Sequence, residues 1–201
     1  DQVGGLTTTQ LAGLSVTNLS GLEASQMEAL STTQVKALTT TQIAGLDATD
    51  IAELTNTQIG ALTTTQVGAL TSTNIASLTD AQVAAMADTQ LARLSTSVIH
   101  ALDTTQLGSL STTQVQAFTT TQMAAMDATD LDELTVGQLA ALTTAQVRAL
   151  TTTVIGAISS QAFGSFDVTQ IAQLTTTQID NLTTTNLSTL TSTQLGGFTG
   201  A

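Results

Sequence analysis

Apolar and polar positions repeat with a period of eight residues along the whole chain. Residues 7–198 divide into 24 consecutive octads without an insertion or a deletion, and partial octads flank them at both ends. Positions five and eight are apolar in all 24 octads, and positions six and seven are mainly Ala, Gly or Ser. We therefore predict a repeat protein in which residues 1–201 form one continuous array.

Positions one and four carry the signature of a helix start. Position one is Thr, Ser or Asp in 22 octads, with Glu23 and Ala87 as exceptions; position four is Gln in 16, Asn in three and Asp in two. Ser or Thr followed three residues later by Gln is a capping box, in which each side chain accepts a hydrogen bond from the other residue's backbone N–H. The apolar residue at position five and the one just before the cap form the accompanying hydrophobic staple.

This pattern assigns structural roles to named residues. The predicted capping pairs include Thr63 with Gln66, Thr39 with Gln42 and Thr119 with Gln122. The predicted core includes Val67, Leu70, Ile75, Leu78, Leu142 and Leu150.

A helix that restarts every eight residues predicts an all-α solenoid of very short capped units. In one continuous helix, eight residues at about 100° each would leave a drift of roughly 80° per repeat, and the Leu stripe could not face one core. Ordering one octad costs on the order of 12 kcal/mol, whereas two buried aliphatic side chains return about 3–6 kcal/mol. Neighbouring units must supply the remainder. A thin β-solenoid is the alternative, because β-branched Thr favours strands, and the number of octads per turn is left open.

Charge and composition exclude several classes of function. The chain has 15 acidic and three basic residues, for a net charge of −12. Nucleic-acid binding is excluded because it requires clustered Lys and Arg. Membrane insertion is excluded because no apolar run approaches 18 residues. The absence of Cys excludes disulfides and thiolate chemistry.

Few residues offer chemistry, so we predict neither an enzyme nor a cofactor. The single His, His100, has no second His or Cys to act with. Asp47 with Asp50, and Asp127 with Asp130, could bind calcium, because carboxylates three apart share a helix face. However, these residues hold positions one and four of their octads, where Asp also serves as a helix cap. The capping interpretation is favoured, and calcium binding stays open.

Threonine triplets at positions one to three, such as 63–65, form a further surface feature. A solenoid would stack them into rows of hydroxyl and methyl groups that could bind ice or glycans. The competing interpretation is that they only cap helices and keep a weakly charged surface soluble, and it is favoured because position one already serves the cap.

The octads "TTTQIAGL" (39–46) and "TTTQVGAL" (63–70) resemble the Thr/Gln/Leu octapeptide repeats of very large, adhesin-like surface or secreted proteins of Gram-negative bacteria. The resemblance covers the whole chain. It implies an extracellular or cell-surface location and an extended structural role, and it carries over no catalytic residue.

The expected function is therefore structural: a section of a fibre, stalk, filament or matrix protein. Both termini fall within an octad, so we expect either a window from a longer chain or units that stack head to tail with copies of themselves. The alternative is a binding module whose threonine rows recognise ice or glycans.

Overall fold

The structure is a computed structural model that describes residues 2–200. Within these residues the chain forms 24 α-helices of four to six residues, one in each full octad, and a 3-10 turn near each end, Val3–Gly5 and Gly197–Gly200. The helices are α1 Thr8–Ala12, α2 Val16–Ser20, α3 Ala24–Glu28, α4 Thr32–Ala37, α5 Thr40–Gly45, α6 Ala48–Ala52, α7 Asn56–Ala61, α8 Thr64–Val67, α9 Ser72–Ser77, α10 Asp80–Ala84, α11 Asp88–Leu91, α12 Thr96–Ile99, α13 Thr104–Ser109, α14 Thr112–Gln116, α15 Thr120–Ala125, α16 Ala128–Asp132, α17 Val136–Ala141, α18 Thr144–Ala149, α19 Thr152–Ala157, α20 Ser160–Gly164, α21 Val168–Ile171, α22 Thr176–Asp180, α23 Thr184–Thr189 and α24 Ser192–Gly196. No described residue lies in a β-strand. The predicted all-α solenoid is confirmed, and the β-solenoid is wrong.

Each corner of the chain is made by two extended residues between successive helices. Leu62, at position eight, has φ −53° and ψ 138°, and the N-cap Thr63 has φ −69° and ψ 156°. Neither conformation needs a left-handed residue, and no residue in the described range has a positive φ. A Leu followed by a Thr can therefore turn the chain every eight residues.

The helices group into two compact units, one that ends at Ser109 and one that begins at Leu110. The octad phase passes this boundary without an insertion or a deletion. The single array over 1–201 stays a prediction.

Helices that pack side by side are three places apart in the chain. In the first unit α1 packs with α4, α6 with α9 and α10 with α13; in the second unit α15 packs with α18 and α20 with α23. Side-chain hydrogen bonds join octads four places apart, at offsets of 31 and 28 residues. Neighbours at both three and four octads are expected if one turn holds about 28 residues, or three and a half octads. This is the number that the sequence left open.

The core lies along positions five and eight. The six predicted core residues named above are each 5% exposed or less. Between turns the backbones approach closely at position six. A Cβ on Gly60 would lie 2.9 Å from the carbonyl oxygen of Ala85, and one on Gly156 would lie 3.0 Å from that of Asn181. Both contacts join residues that are 25 apart in the chain. The small residue at position six therefore allows adjacent turns, rather than consecutive helices, to approach each other closely.

Candidate functional site

The pair Thr63 and Gln66 shows the geometry of a helix start in a regular octad. Thr63 Oγ1 accepts a hydrogen bond of 3.2 Å from Gln66 N, and Gln66 Oε1 accepts one of 2.8 Å from Thr63 N. The same two bonds, at 2.7 to 3.2 Å, join the other two predicted capping pairs, Thr39 with Gln42 and Thr119 with Gln122. Each box satisfies two backbone N–H groups that a helix start leaves without an intrahelical partner.

The amide nitrogen of the same glutamine binds an adjacent turn of the solenoid. Gln66 Nε2 donates to the carbonyl oxygens of Val35 at 2.8 Å and Leu38 at 2.7 Å, which hold positions five and eight of the octad four places earlier. Equivalent pairs of bonds, at 2.6 to 3.3 Å, are made by Gln42, Gln58, Gln90, Gln106, Gln146, Gln170 and Gln178. We call this row of position-four side chains the glutamine ladder and each of them a rung.

The rungs are buried, so losing one of their hydrogen bonds should lower the stability of the fold. Gln66 is 3% exposed, and the seven glutamines named with it are each 3% exposed or less. A hydrogen bond contributes about 0.5–1.5 kcal/mol net, whereas leaving its buried partner unpaired costs about 1–3 kcal/mol. Because the oxygen of one amide serves its own helix and the nitrogen serves an adjacent turn, each rung couples local structure to packing between turns.

Sequence reasoning assigned position four to capping alone and missed its donor role. A capping box accepts Glu as readily as Gln, since it needs only a side-chain oxygen. Position four nevertheless holds 16 Gln and three Asn but no Glu. That preference for an amide was the signal of a donor role. The shorter Asn74 still reaches one carbonyl oxygen, that of Leu46, at 2.8 Å.

Five octads interrupt the ladder because position four is not an amide. These residues are Asp50, Val98, Asp130, Val154 and Ala162. The two valines are 2% and 4% exposed and fill the position with apolar groups. The two aspartates keep the capping half of the rung through a side-chain oxygen that accepts from the N-cap N–H.

A cavity of about 80 Å³ lies beside Ala162, the smallest residue at position four. Its lining includes Asp132, Leu134, Val136, Leu139, Ser159 and Ala162. In this octad the N-cap N–H of Ser159 donates to Asp132 Oδ1 at 3.1 Å, 27 residues earlier in the chain. Asp132 therefore replaces the oxygen of the missing glutamine.

The aspartates considered as calcium ligands lie in helix caps. Asp47 Oδ1 accepts from the backbone N–H groups of Thr49 at 2.8 Å and Asp50 at 2.9 Å. Asp127 Oδ1 accepts from those of Thr129 and Asp130 at 2.8 and 3.1 Å. These contacts are the ones that the capping interpretation requires.

Glu53 is an acid whose surroundings disfavour its charged form. Its Oε2 atom is buried without a hydrogen-bond partner. Burial, followed by the negative charges of Asp50, Asp47, Glu28 and Glu23, raises the pKa of Glu53. The ionised form is therefore disfavoured in the folded chain, which couples stability to pH at this position.

Asp167 shows the opposite effect, because its carboxylate caps α21. The Thr169 hydroxyl donates to Asp167 Oδ1 at 2.6 Å, and Gln170 N donates to the same oxygen at 2.8 Å. These bonds, with that of the Thr169 hydroxyl first, lower the pKa of Asp167 against the opposing effect of burial.

The histidine and the basic side chains lie on the surface. His100 is exposed at the C-terminal end of α12, and Lys36, Arg93 and Arg148 are also exposed. Within residues 2–200, no helix is both long enough and apolar enough to cross a membrane.

The fold is a helical octapeptide-repeat solenoid. Its defining features are the capping boxes, the buried glutamine ladder and turns of about three and a half octads. The chain belongs to the ALTTAQ repeat family, whose sequence profile matches residues 19–56, 43–80, 83–120, 99–128, 123–160 and 141–176. The family's six-letter motif is spelled out at Ala141–Gln146, where it spans positions seven, eight and one to four. No curated protein matches the chain in sequence.

Proposed function

We propose that the chain is a structural section of an extended extracellular protein, such as a fibre, stalk, filament or matrix adhesin. The observation that carries this proposal is the glutamine ladder. Gln66 in one unit and Gln146 in the other bind adjacent turns through the same two backbone carbonyl positions. A contact that repeats in this way suits a protein whose task is to extend rather than to form one specialised site.

The surface also supports a structural role without catalysis. Positions one to three are mostly Thr or Ser, and charged residues make up only 9% of the chain. The resemblance to large surface or secreted proteins favours an extracellular or cell-surface location. We propose no catalytic residue and no cofactor.

The proposed partners are copies of the chain itself or the remainder of a longer chain. Position-five side chains such as Ile155 are fully buried, whereas Leu187 and Leu195, in the last two full octads, are 38% and 45% exposed. Packing another turn of solenoid against these leucines would return them to the environment of the other position-five residues. At about 25 cal/mol per Å² of buried apolar surface, such a contact favours head-to-tail stacking.

A binding module for ice or glycans is the second candidate. Thr40, Thr41, Thr120 and Thr121, at positions two and three, are all exposed. These positions lie outside the capping box, so their hydroxyl and methyl groups are free of that task. Thermal hysteresis or glycan-array binding that is lost on replacing these threonines by serine would favour this candidate over the structural one.

Sedimentation velocity over a range of concentrations, with negative-stain imaging, tests the structural proposal. We expect elongated particles that lengthen as the concentration rises. The double variant Leu187→Ser/Leu195→Ser should lose this growth. Val136→Ser is the matched control, because Val136 is 55% exposed but holds position two. Globular particles of one size at every concentration would contradict both the extended form and the stacking.

A further inference from the structure

The interrupted rung at Ala162 removes the amide donor from two carbonyl oxygens, those of Leu131 and Leu134, and within the described residues only that of Leu131 still accepts a backbone bond, from Leu134 N at 3.2 Å. In a regular octad the amide nitrogen donates to the carbonyl oxygen 28 residues earlier, as Gln66 does to Leu38. The equivalent acceptor for Ala162 is the carbonyl oxygen of Leu134, and alanine has no side-chain donor. Leu134 is 4% exposed and lines the cavity beside Ala162, so the occupant of that cavity is what can supply the hydrogen bond that a glutamine supplies elsewhere.

The capping half of the same rung is already replaced. Asp132 Oδ1 accepts the hydrogen bond from Ser159 N that a glutamine oxygen would otherwise take. The helix start is therefore intact, and Ser159 Oγ still accepts from Ala162 N at 3.2 Å. What is absent is the donating half of the amide and the volume of the side chain.

The cavity has the size and the lining for a small amide. Its volume is about 80 Å³, and a cavity needs only about 10–15 Å³ on this measure to hold one water molecule. Leu134 and Leu139 provide buried apolar lining, while Asp132 and Ser159 provide polar groups. The exposed side chains of Asp132 and Val136 also line it, so the cavity can be reached from solvent.

The site at Ala162 differs from the two octads in which a valine holds position four. Val98 and Val154 also interrupt the ladder, but their branched side chains occupy the position and are buried. Ala162 has the smallest side chain of the five interruptions, so it leaves the largest part of the space of a glutamine unfilled. The cavity of about 80 Å³ therefore lies beside the interrupted rung with the smallest side chain.

We propose that this cavity is a binding site for a primary carboxamide, which completes the rung in place of the missing glutamine side chain. The bound NH₂ group donates to the carbonyl oxygen of Leu134 and to the carboxylate of Asp132. The carbon attached to the amide packs against Leu139. A carboxylate of the same shape is rejected, because it would place an acceptor against two acceptors. The amide can come from a free small molecule or from an Asn or Gln side chain of another protein.

Titration of the ¹⁵N-labelled chain with acetamide, followed by the backbone amide signals of Ser159 and Ala162, tests the proposal. We expect saturable shifts at these signals. N,N-dimethylacetamide, which has no N–H, should bind at least about tenfold more weakly, since it leaves the acceptors unpaired. Acetate should give no saturable shift. Equal binding of all three probes, or no saturable shift with acetamide, would overturn the proposal, and so would ammonium ion binding in preference to acetamide.

The variant Ala162→Gln provides the matched control, because it supplies the amide from the chain itself. It should abolish the acetamide response, and a response that persists would place the ligand elsewhere and overturn the proposal. The comparison among probes needs only the natural chain, so the test does not depend on the folding of a variant. A glutamine-containing dipeptide amide distinguishes the two sources. That probe is N-acetyl-glutamine N-methylamide, whose only primary carboxamide is its side chain. Binding of acetamide alone supports a free small amide as the ligand, and binding of both supports a side chain.

Discussion

The octads 63–70 and 159–166 build the same helix start with different partners. In both, the position-one hydroxyl accepts from the backbone N–H of position four at 3.2 Å. In the first octad the N-cap N–H is bound by Gln66, and in the second it is bound by Asp132 from the adjacent turn. The helix forms in both cases, so it can begin without a glutamine that donates to the adjacent turn. Gln66 caps its own helix and also donates to the adjacent turn, whereas in the second octad the adjacent turn supplies the acceptor for the cap itself.

Gln66→Glu is the change that should break the regular octad most strongly. Glutamate keeps the oxygen that the cap needs but places a carboxylate against the carbonyl oxygens of Val35 and Leu38. We expect a loss of about 3–5 kcal/mol at pH 7, because the result is a buried charge without a partner. Chemical denaturation followed by circular dichroism would measure it.

Of the two natural aspartates at position four, Asp50 lies in a more open setting than Gln66. Asp50 is 5% exposed, but the position-eight residue that faces it by register, Leu22, is half-buried. Leu22 is therefore more open to water than Leu38, which is 3% exposed. If Gln66→Glu proved as stable as the natural chain, capping would be the whole role of the glutamine and the ladder would be energetically unimportant.

Ala162→Gln should repair the irregular octad. The new amide would fill much of the cavity and donate to the carbonyl oxygen of Leu134. We expect a gain of about 1–2 kcal/mol, by filling a cavity at roughly 24 cal/mol per Å³ and pairing a buried acceptor. The unfolding midpoint in urea would report it. Ala162→Val is the matched control, because it fills space without a donor and should gain less; equal gains would mean that volume alone matters.

The sequence predicts the local structure of the fold better than its packing. The period of eight, the hydroxyl at position one and the apolar pair are local signals, and they give the capped helix and its buried face directly. The destination of Gln66 Nε2 is 28 and 31 residues away, and it depends on the angle at each corner, which no eight-residue pattern encodes. The cavity beside Ala162 was beyond prediction for the same reason. It depends on which octad lies opposite, although the break in the pattern at Ala162 was visible.

Removing a single capping hydroxyl should have a smaller effect than removing a rung. Thr63→Ala is expected to cost about 1 kcal/mol, the usual value for an N-cap, and to weaken hydrogen-exchange protection at the start of α8. Ala87 shows that the loss is tolerated, because α11 still begins after it and Ala87 N is bound by Gln90 Oε1 at 2.6 Å. Thr65→Ala, at the exposed position three, should stay within about 0.5 kcal/mol. Equal effects of the two variants would contradict the capping role.

The smallest expected effect is a dependence of stability on pH. It arises in octad 47–54, which has an acidic residue at positions one and four and so differs from the regular octad. Because the pKa of Glu53 is raised in the folded chain, ionised Glu53 destabilises the fold at neutral pH, and the penalty disappears as the pH falls through that raised pKa to the unfolded value near 4.3. Glu53→Gln should therefore raise the thermal midpoint at pH 7, and its advantage should shrink towards zero near pH 4. Part of the penalty is repulsion from Asp50, Asp47, Glu28 and Glu23, so 1 M salt should reduce the advantage at pH 7. An advantage that is the same at pH 4 and pH 7 would instead assign the effect to the shape of the side chain rather than to its charge.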